Sequence, residues 1–261
     1  MGRRLLMALA AGLLVSACGR EDAAPAPAAA PAAEAPPAAP APDYAALLTH
    51  PDRPAADAAD DAARKPAEVL AFTGVRAGDT VLEIEAGGGW FTELIARAVG
   101  PDGKVYMQAP AEFEAFYKED LDKRLADNRL PNVVFLASHF DSFEVPDGSI
   151  DVATWFLGPH ELWFKPDNAP DGLGDAKGSF DAIYRALRPG GSFIVLDHAA
   201  EPGSPVETGG ALHRIDPAHI KALAEGAGFR LEAESDLLAN PQDDRSKTVF
   251  DPSVRRKTDQ F

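Results

Sequence analysis

Between residues 83 and 89 the chain reads Glu-Ile-Glu-Ala-Gly-Gly-Gly. Residues without side chains, placed between an apolar segment and a helical one, let a ligand approach backbone N–H groups at a helix amino terminus. That geometry suits a nucleotide-like cofactor, although a tight bend alone also uses glycine. A dinucleotide fingerprint needs a third glycine at position 92, where Thr92 stands behind the bulky Trp90 and Phe91, so NAD and FAD are disfavoured. No Gly-Lys-Ser/Thr follows, which excludes a phosphate loop. Further on, Trp155-Phe156-Leu157-Gly158-Pro159-His160-Glu161 places His160, a side chain suited to proton transfer near neutrality, after an apolar run. Trp155 and Phe156, with Trp163 and Phe164, would wall an aromatic pocket or pack as ordinary core. Asp197-His198 closes another apolar run, and Arg214 could hold an acidic group of a substrate.

His160, His198 and His213 would make a transition-metal site with Asp197 and Asp216 only if the fold brought them together. Spacing along the chain gives no support, because Phe164 stands where a zinc-protease helix needs its second histidine, and no metal is expected. A calcium loop over 167–178 fails likewise, with Ala169 at the third ligand position and Gly178 at the twelfth.

The elements that must position these residues alternate. Thr80 to Ile84, Lys104 to Met107, Asn132 to Ala137, Ile150 to Phe156, Ser192 to Leu196 and Phe229 to Ala233 read as six short strands. Between them, Phe91, Leu94, Ile95 and Ala98 recur at helical spacing, and Phe113, Phe116, Tyr117 and Leu121 share one face of a second helix. Ser179 is expected to cap a third helix, and Asp216 with Pro217 to open a fourth. Residues 165–178, rich in Asp, Pro and Gly, would form a lid. The alternation predicts an α/β fold, a doubly wound, mostly parallel Rossmann-like sheet with helices on both faces and its ligand beyond the carboxyl ends of the strands.

The hydrophobic-acid-hydrophobic-Gly-x-Gly-x-Gly first motif of the class I methyltransferases resembles residues 82–89, with Glu83, Gly87 and Gly89 matching and Glu85 replacing the first glycine. The similarity continues through Pro146-Asp147-Gly148-Ser149-Ile150-Asp151 and Leu187-Arg188-Pro189-Gly190-Gly191. More narrowly, Arg64-Lys65-Pro66-Ala67-Glu68-Val69-Leu70, Asp197-His198, Leu212-His213-Arg214-Ile215-Asp216 and Glu234-Ser235-Asp236-Leu237-Leu238 resemble a family of exported "predicted methyltransferases". The resemblance implies S-adenosylmethionine as cofactor and an unknown small molecule or envelope component as methyl acceptor. Gly87 and Gly89 would contact the methionine portion and Glu83 would orient it. Gln108 stands where an acid usually holds the ribose, and His139 or Asp141 falls where the adenine is met. A catalytic His160 and a substrate pocket of Trp155, Phe156, His198 and Arg214 complete the implied site. The family usually adds a seventh, antiparallel strand; either the sheet stops short of it or Lys247 to Phe250 supplies it. The alternative reading is a noncatalytic exported lipoprotein that uses the same crevice for another small ligand or a metal.

Arg3 and Arg4 precede an apolar stretch, Leu5 to Val15, too short to span a bilayer, and Val15-Ser16-Ala17 leads to Cys18, the only cysteine. This reads as a lipoprotein signal peptide over 1–17, with lipid on Cys18, an Ala/Pro-rich disordered tether over 18–42 and a globular domain over 43–261. The expected location is the cell envelope, on the periplasmic side of the outer or inner membrane. A formal net charge of −16, two units more negative once Arg3 and Arg4 are removed, repels phosphate backbones and argues against nucleic-acid partners. The oligomeric state is left open.

Overall fold

The computed structural model describes residues 40–261. The signal peptide and Cys18 lie outside the described residues, as does nearly all of the tether. No described helix is long and apolar enough to cross a membrane.

Helices α1 (Tyr44–Leu47), α2 (Asp61–Arg64) and α3 (Pro66–Thr73) lead into strand β1 (Thr80–Ile84). Then follow α4 (Trp90–Val99), β2 (Lys104–Ala109), α5 (Glu114–Leu125), β3 (Val133–Ala137), β4 (Ile150–Phe156), α6 (Ala176–Ala186), β5 (Leu187–Leu196), α7 (Thr208–Leu212) and α8 (Pro217–Ala227). The five strands form one sheet in the order β3-β2-β1-β4-β5, every pairing parallel. Parallel neighbours need crossover connections, which α4, α5 and α6 supply. Strand periodicity then sorts the side chains. Val81 and Val152 face a core shared with Leu70, Leu94 and Ile95, whereas Leu82, Ile84, Ala153 and Trp155 face a second core with Phe180, Ile183 and Ile220. Both faces of the sheet are thus covered, as the alternation implies.

Helix ends follow local chemistry. Gly89, at φ 79°, starts α4 and Gly100, at φ 68°, ends it, both backbone conformations that side chains disfavour. Asp216 caps α8 by accepting from the Ala218 N–H at 2.9 Å, with Pro217 in the first position, as expected. Asp175, rather than Ser179, caps α6; Ser179 lies a turn inside and donates its hydroxyl to the Asp175 carbonyl.

Four further expectations are corrected. Residues 188–191 belong to β5, and the register shift between Ile150 and Val152 absorbs them as a bulge. Phe116 is 85% exposed, because the buried stripe of α5 runs through Tyr117, Leu121 and Arg124. Residues 165–178 are no free lid: Leu173 is fully buried, and its carbonyl accepts from the Phe140 N–H. Phe229 to Ala233 forms no strand; Phe229 packs on Tyr184 and Phe193, but residues 230–236 are exposed and meet no neighbouring strand. Beyond β5 the pairing partner is the chain's last segment, with His198 antiparallel to Gln260 and Asp197 exchanging both backbone hydrogen bonds with Phe261. Lys247 to Phe250 makes no strand, and the Val249 N–H goes to the Leu212 carbonyl.

Phe180, fully buried between Trp155 and Phe193, should cost about 3–5 kcal/mol of unfolding free energy when changed to Ala. Phe116→Ala should stay within roughly 0.5 kcal/mol of the parent. Urea melts of the two variants check both, and similar losses would contradict this burial pattern.

Candidate functional site

The glycine turn leaves β1 through three left-handed residues, Glu85 (φ 55°), Gly87 (φ 55°) and Gly89 (φ 79°). For Glu85, which carries a Cβ, that conformation is strained and must be held by its surroundings. Gln108, at the end of β2, does the holding. Its Oε1 accepts from the Glu85 N–H at 2.9 Å, its backbone carbonyl accepts from the Ala86 N–H at 2.8 Å, and its Nε2 donates to the Ser138 carbonyl at 2.6 Å. A carboxylate there could accept but not donate. Gln108 is fully buried with both ends of its amide engaged, so the expected contact with a ribose is corrected: it frames the turn.

A cavity of about 560 Å³ opens over this turn, with Glu83, Glu85, Gly87, Asp120, Arg124 and Phe156 among its walls. A Cβ added to Gly87 would meet nothing within 4 Å, so this glycine borders open space. Its neighbours are glycine for another reason: a Cβ on Gly88 would lie 2.6 Å from Asp120 Cβ, and one on Gly89 2.8 Å from Arg124 Cδ. Gly89 is buried against α5 and is not among the walls of the cavity.

Glu83 is 3% exposed and accepts from the Thr92 hydroxyl at 2.5 Å. Burial pushes its carboxyl up to about 7, with Thr92 and Arg124 opposing the rise. Beside it lies an ion network that no motif signals. Arg124 donates to the Gly88 carbonyl and pairs with Asp57 and Glu93, while Arg97 and Arg129 also grip Glu93. Burial alone would raise Glu93, but the arginines outweigh it and hold the carboxyl below its ordinary value. Only the Glu93–Arg97 pair, one helical turn apart, is readable from spacing.

The second cluster lies beyond β4 and β5. A short 3₁₀ turn, Pro159–Trp163, carries His160 and Glu161, and Asp197 follows β5. Asp197 is fully buried and accepts from the His160 N–H (2.8 Å) and the His198 N–H (2.7 Å), with His160 Nδ1 at 2.7 Å. Glu161 Oε1 lies 3.2 Å from His160 Nε2 and 2.8 Å from His213 Nδ1. Burial alone would lower the His160 pKa; Asp197 and Glu161 outweigh it and hold the ring up to about 10. In this arrangement the two carboxylates favour the charged form of the His160 ring. His198 sits beside it with Nδ1 on the Thr258 hydroxyl, its pKa pushed down to about 4 by burial.

The remaining expected residues fall apart spatially. Trp155 is fully buried among Phe140 and Phe180, and its indole N–H donates to Glu85 at 3.1 Å. Phe156 lines the cavity edge to face with Phe91. Arg214 is fully buried, holding the Lys247 and Ala199 carbonyls and Asp243, so it braces the carboxyl-terminal segment. Asp141 accepts from the Asp175 N–H at the start of α6 and is not a wall of the cavity; neither is His139, which pairs with Glu112. The cavity walls Asp57, Asp120 and Arg124 were not singled out from sequence, and Arg64 entered only as part of a motif with no role given to it.

A five-stranded parallel sheet with this order, and a glycine turn opening a cavity at the carboxyl edge, defines a Rossmann-like fold of the class I methyltransferase type. Residues 64–207, more than half of the chain, match the model of the ubiE/COQ5 methyltransferase family, and the chain belongs to that family. It is 30% identical over 138 residues to the ubiquinone/menaquinone biosynthesis C-methyltransferase UbiE of Ectopseudomonas mendocina, an alignment spanning 52% of this chain and 48% of that protein. To the Escherichia coli O1:K1 / APEC protein of the same name it is 25% identical over 193 residues, spanning 72% of this chain and 71% of that one. Among solved structures, a SAM-dependent methyltransferase from Aquifex aeolicus superposes with a TM-score of 0.53 at 21% identity, covering 73% of this chain and 90% of its own. Phosphoethanolamine N-methyltransferase 2 of Haemonchus contortus, in complex with S-adenosyl-L-methionine, gives 0.51 at 16% identity, covering 71% and 44%. These two likenesses establish the fold.

The folded chain binds the Glu83 proton up to about pH 7, the unfolded chain only to about 4.5. The stability this group contributes is therefore lost as pH rises from about 4.5 through about 7. Glu83→Gln carries no such dependence and should gain on the parent by up to roughly 3 kcal/mol between about pH 5 and about pH 8. Urea melts at the two values test this, and a constant difference would contradict it.

Proposed function

We propose that this chain is an S-adenosylmethionine-dependent methyltransferase acting on a small molecule or envelope component, with the cofactor held in the cavity over the glycine turn. The observation that carries the reading is Gly87: a left-handed glycine beside open space, in a chain that belongs to a methyltransferase family. The cavity's size lies within the range of small-ligand sites. Its donor set suits a ligand bearing both an ammonium and a carboxylate, because Glu83 and Asp120 offer acceptors while Arg64 and Lys123 offer donors. The bound cofactor supplies an electrophilic methyl group. The chain's own task is to align an acceptor in line with that group in a desolvated site, which asks for positioning more than for a nucleophile. Phe156 and Leu157, at the end of β4, border the cavity on the side where an acceptor would enter.

Gly87→Asn is the informative variant, since asparagine tolerates the left-handed conformation and fills the space with little strain. S-adenosylhomocysteine should bind the parent at micromolar concentrations and the variant roughly 100-fold more weakly by calorimetry, with both melting cooperatively. Absence of heat and of any thermal shift for the parent at millimolar ligand would overturn this reading and favour another ligand for the crevice.

Export and a lipid anchor belong to the same proposal and rest on the order of Arg3, Arg4, the apolar run and Cys18. Cells fed labelled palmitate should incorporate it into the parent chain and not into Cys18→Ala. An unlabelled parent found in the cytoplasm would exclude the anchor.

A further inference from the structure

Fifty-two positions separate Glu161 from His213, yet the fold places them in contact. The cause is local. Helix α7 presents Gly209 and Gly210 to the Pro159–Trp163 turn, where a Cβ would lie 2.5 Å from the His160 carbonyl oxygen and 2.4 Å from that of Trp163. Only glycine allows so close a docking, and His213, which ends α7 at φ 54°, then turns onto Glu161.

Candidate donor atoms of His160, Glu161 and His213 all lie within 4.8 Å of one another, and two of the separations are 3.2 and 2.8 Å. A tetrahedral ion bound at about 2.0–2.1 Å holds its ligand atoms roughly 3.4 Å apart, so the three side chains already stand near ligand spacing. Behind His160, the Asp197 carboxylate faces Nδ1 at 2.7 Å. That is the arrangement by which a carboxylate fixes the ring of a ligating histidine and leaves Nε2 for the ion. An independent sign comes from Glu161 itself: its side chain is nine-tenths buried, and its Oε2 is buried with no hydrogen-bond partner. A carboxylate oxygen is rarely left so unless something absent from the protein chain completes it.

We infer that His160, Glu161 and His213 form a binding site for a divalent transition-metal ion, with Asp197 positioning His160. Two imidazoles and one carboxylate are the donor set of zinc and non-haem iron centres, whereas calcium and magnesium take oxygen ligands. The ion-pair partners of Glu161 and Asp197 are histidines, so a cation here meets carboxylates that no lysine or arginine neutralises among the described residues. This assignment does not rest on the methyltransferase reading, because metal uptake is measured without cofactor or acceptor.

The test uses the full chain without an affinity tag, in detergent, stripped with EDTA and titrated with Co²⁺ followed by Zn²⁺. One Co²⁺ per chain should bind with the intense visible ligand-field bands of a low-coordinate ion, and Zn²⁺ should displace it. Asp197→Asn should weaken binding about 10- to 100-fold, and His213→Ala and Glu161→Gln should weaken it at least as much. His139→Ala, which alters a histidine outside the cluster, should bind as the parent does. No stoichiometric uptake, or uptake unchanged in His213→Ala and Glu161→Gln, would overturn the site. Should those variants fail to melt cooperatively, the parent decides: weak bands like those of hydrated Co²⁺ overturn the site, and intense bands with a raised melting temperature uphold it.

Discussion

A sheet whose strands are all parallel ends every strand at one edge, and there the backbone loses its ladder partners together. Side chains must take over, and in this protein the replacement is largely done by buried amide and carboxylate groups. Gln108 supplies an acceptor to the turn leaving β1 and a donor to the chain leaving β3. Asp197 receives the N–H groups of His160 and His198, tying the ends of β4 and β5 together. Each is fully buried, and each sets the geometry of a neighbouring cluster. The glycine turn and the histidine cluster are therefore consequences of how the edge is closed.

The opposite problem, a buried charge, is met with arginine. Glu93 sits inside α4 without exposure, which would be prohibitive for a lone carboxylate. Arg97 comes from its own helix, Arg124 from α5 and Arg129 from the segment beyond it, so the ion network also fastens α5 against α4. That fastening brings Asp120 and Arg124 over Gly88 and Gly89, where no side chain would fit. Two of the three consecutive glycines are thus explained by helix packing, which leaves Gly87 as the one whose missing side chain opens onto the cavity.

The fold was legible because strand and helix periodicities recur at separations that only crossover connections satisfy, and the first five strands appear where the alternation puts them. Phe229 to Ala233 misled because its alternation is locally sound, and local pattern carries no information about whether a neighbouring strand exists to pair with it. The places of Glu83 and Gly87 beside the cavity were legible, because they depend on their own strand and turn. The site was illegible at Gln108, whose function depends on which atoms of β1 and β3 lie across from it, and at Arg214, whose guanidinium serves a segment thirty-three residues away. His213 was legible as a residue and not as a neighbour: no ligand spacing along the chain reports a contact created by two glycines docking a short helix.

Glu85 joins these observations. In the methyltransferase pattern its position is glycine, and a side chain there has only two directions to take: into the cavity, or back toward the end of β4. Its backbone N–H is fixed by Gln108, and its carboxylate accepts from the Trp155 indole at 3.1 Å. Gly158 has no side chain to oppose it, since a Cβ there would fall 2.0 Å from Glu85 Oε2. Burial raises the Glu85 pKa well above its ordinary value, the charge of Glu161 raises it further, and His160 opposes the rise. Glu85 thus belongs to both centres, bordering the cavity with its backbone and sensing the histidine cluster with its carboxyl. The charges of His160 and Glu161 act on the Glu85 carboxyl, so the two sites are electrostatically linked through the residue that departs from the family's motif.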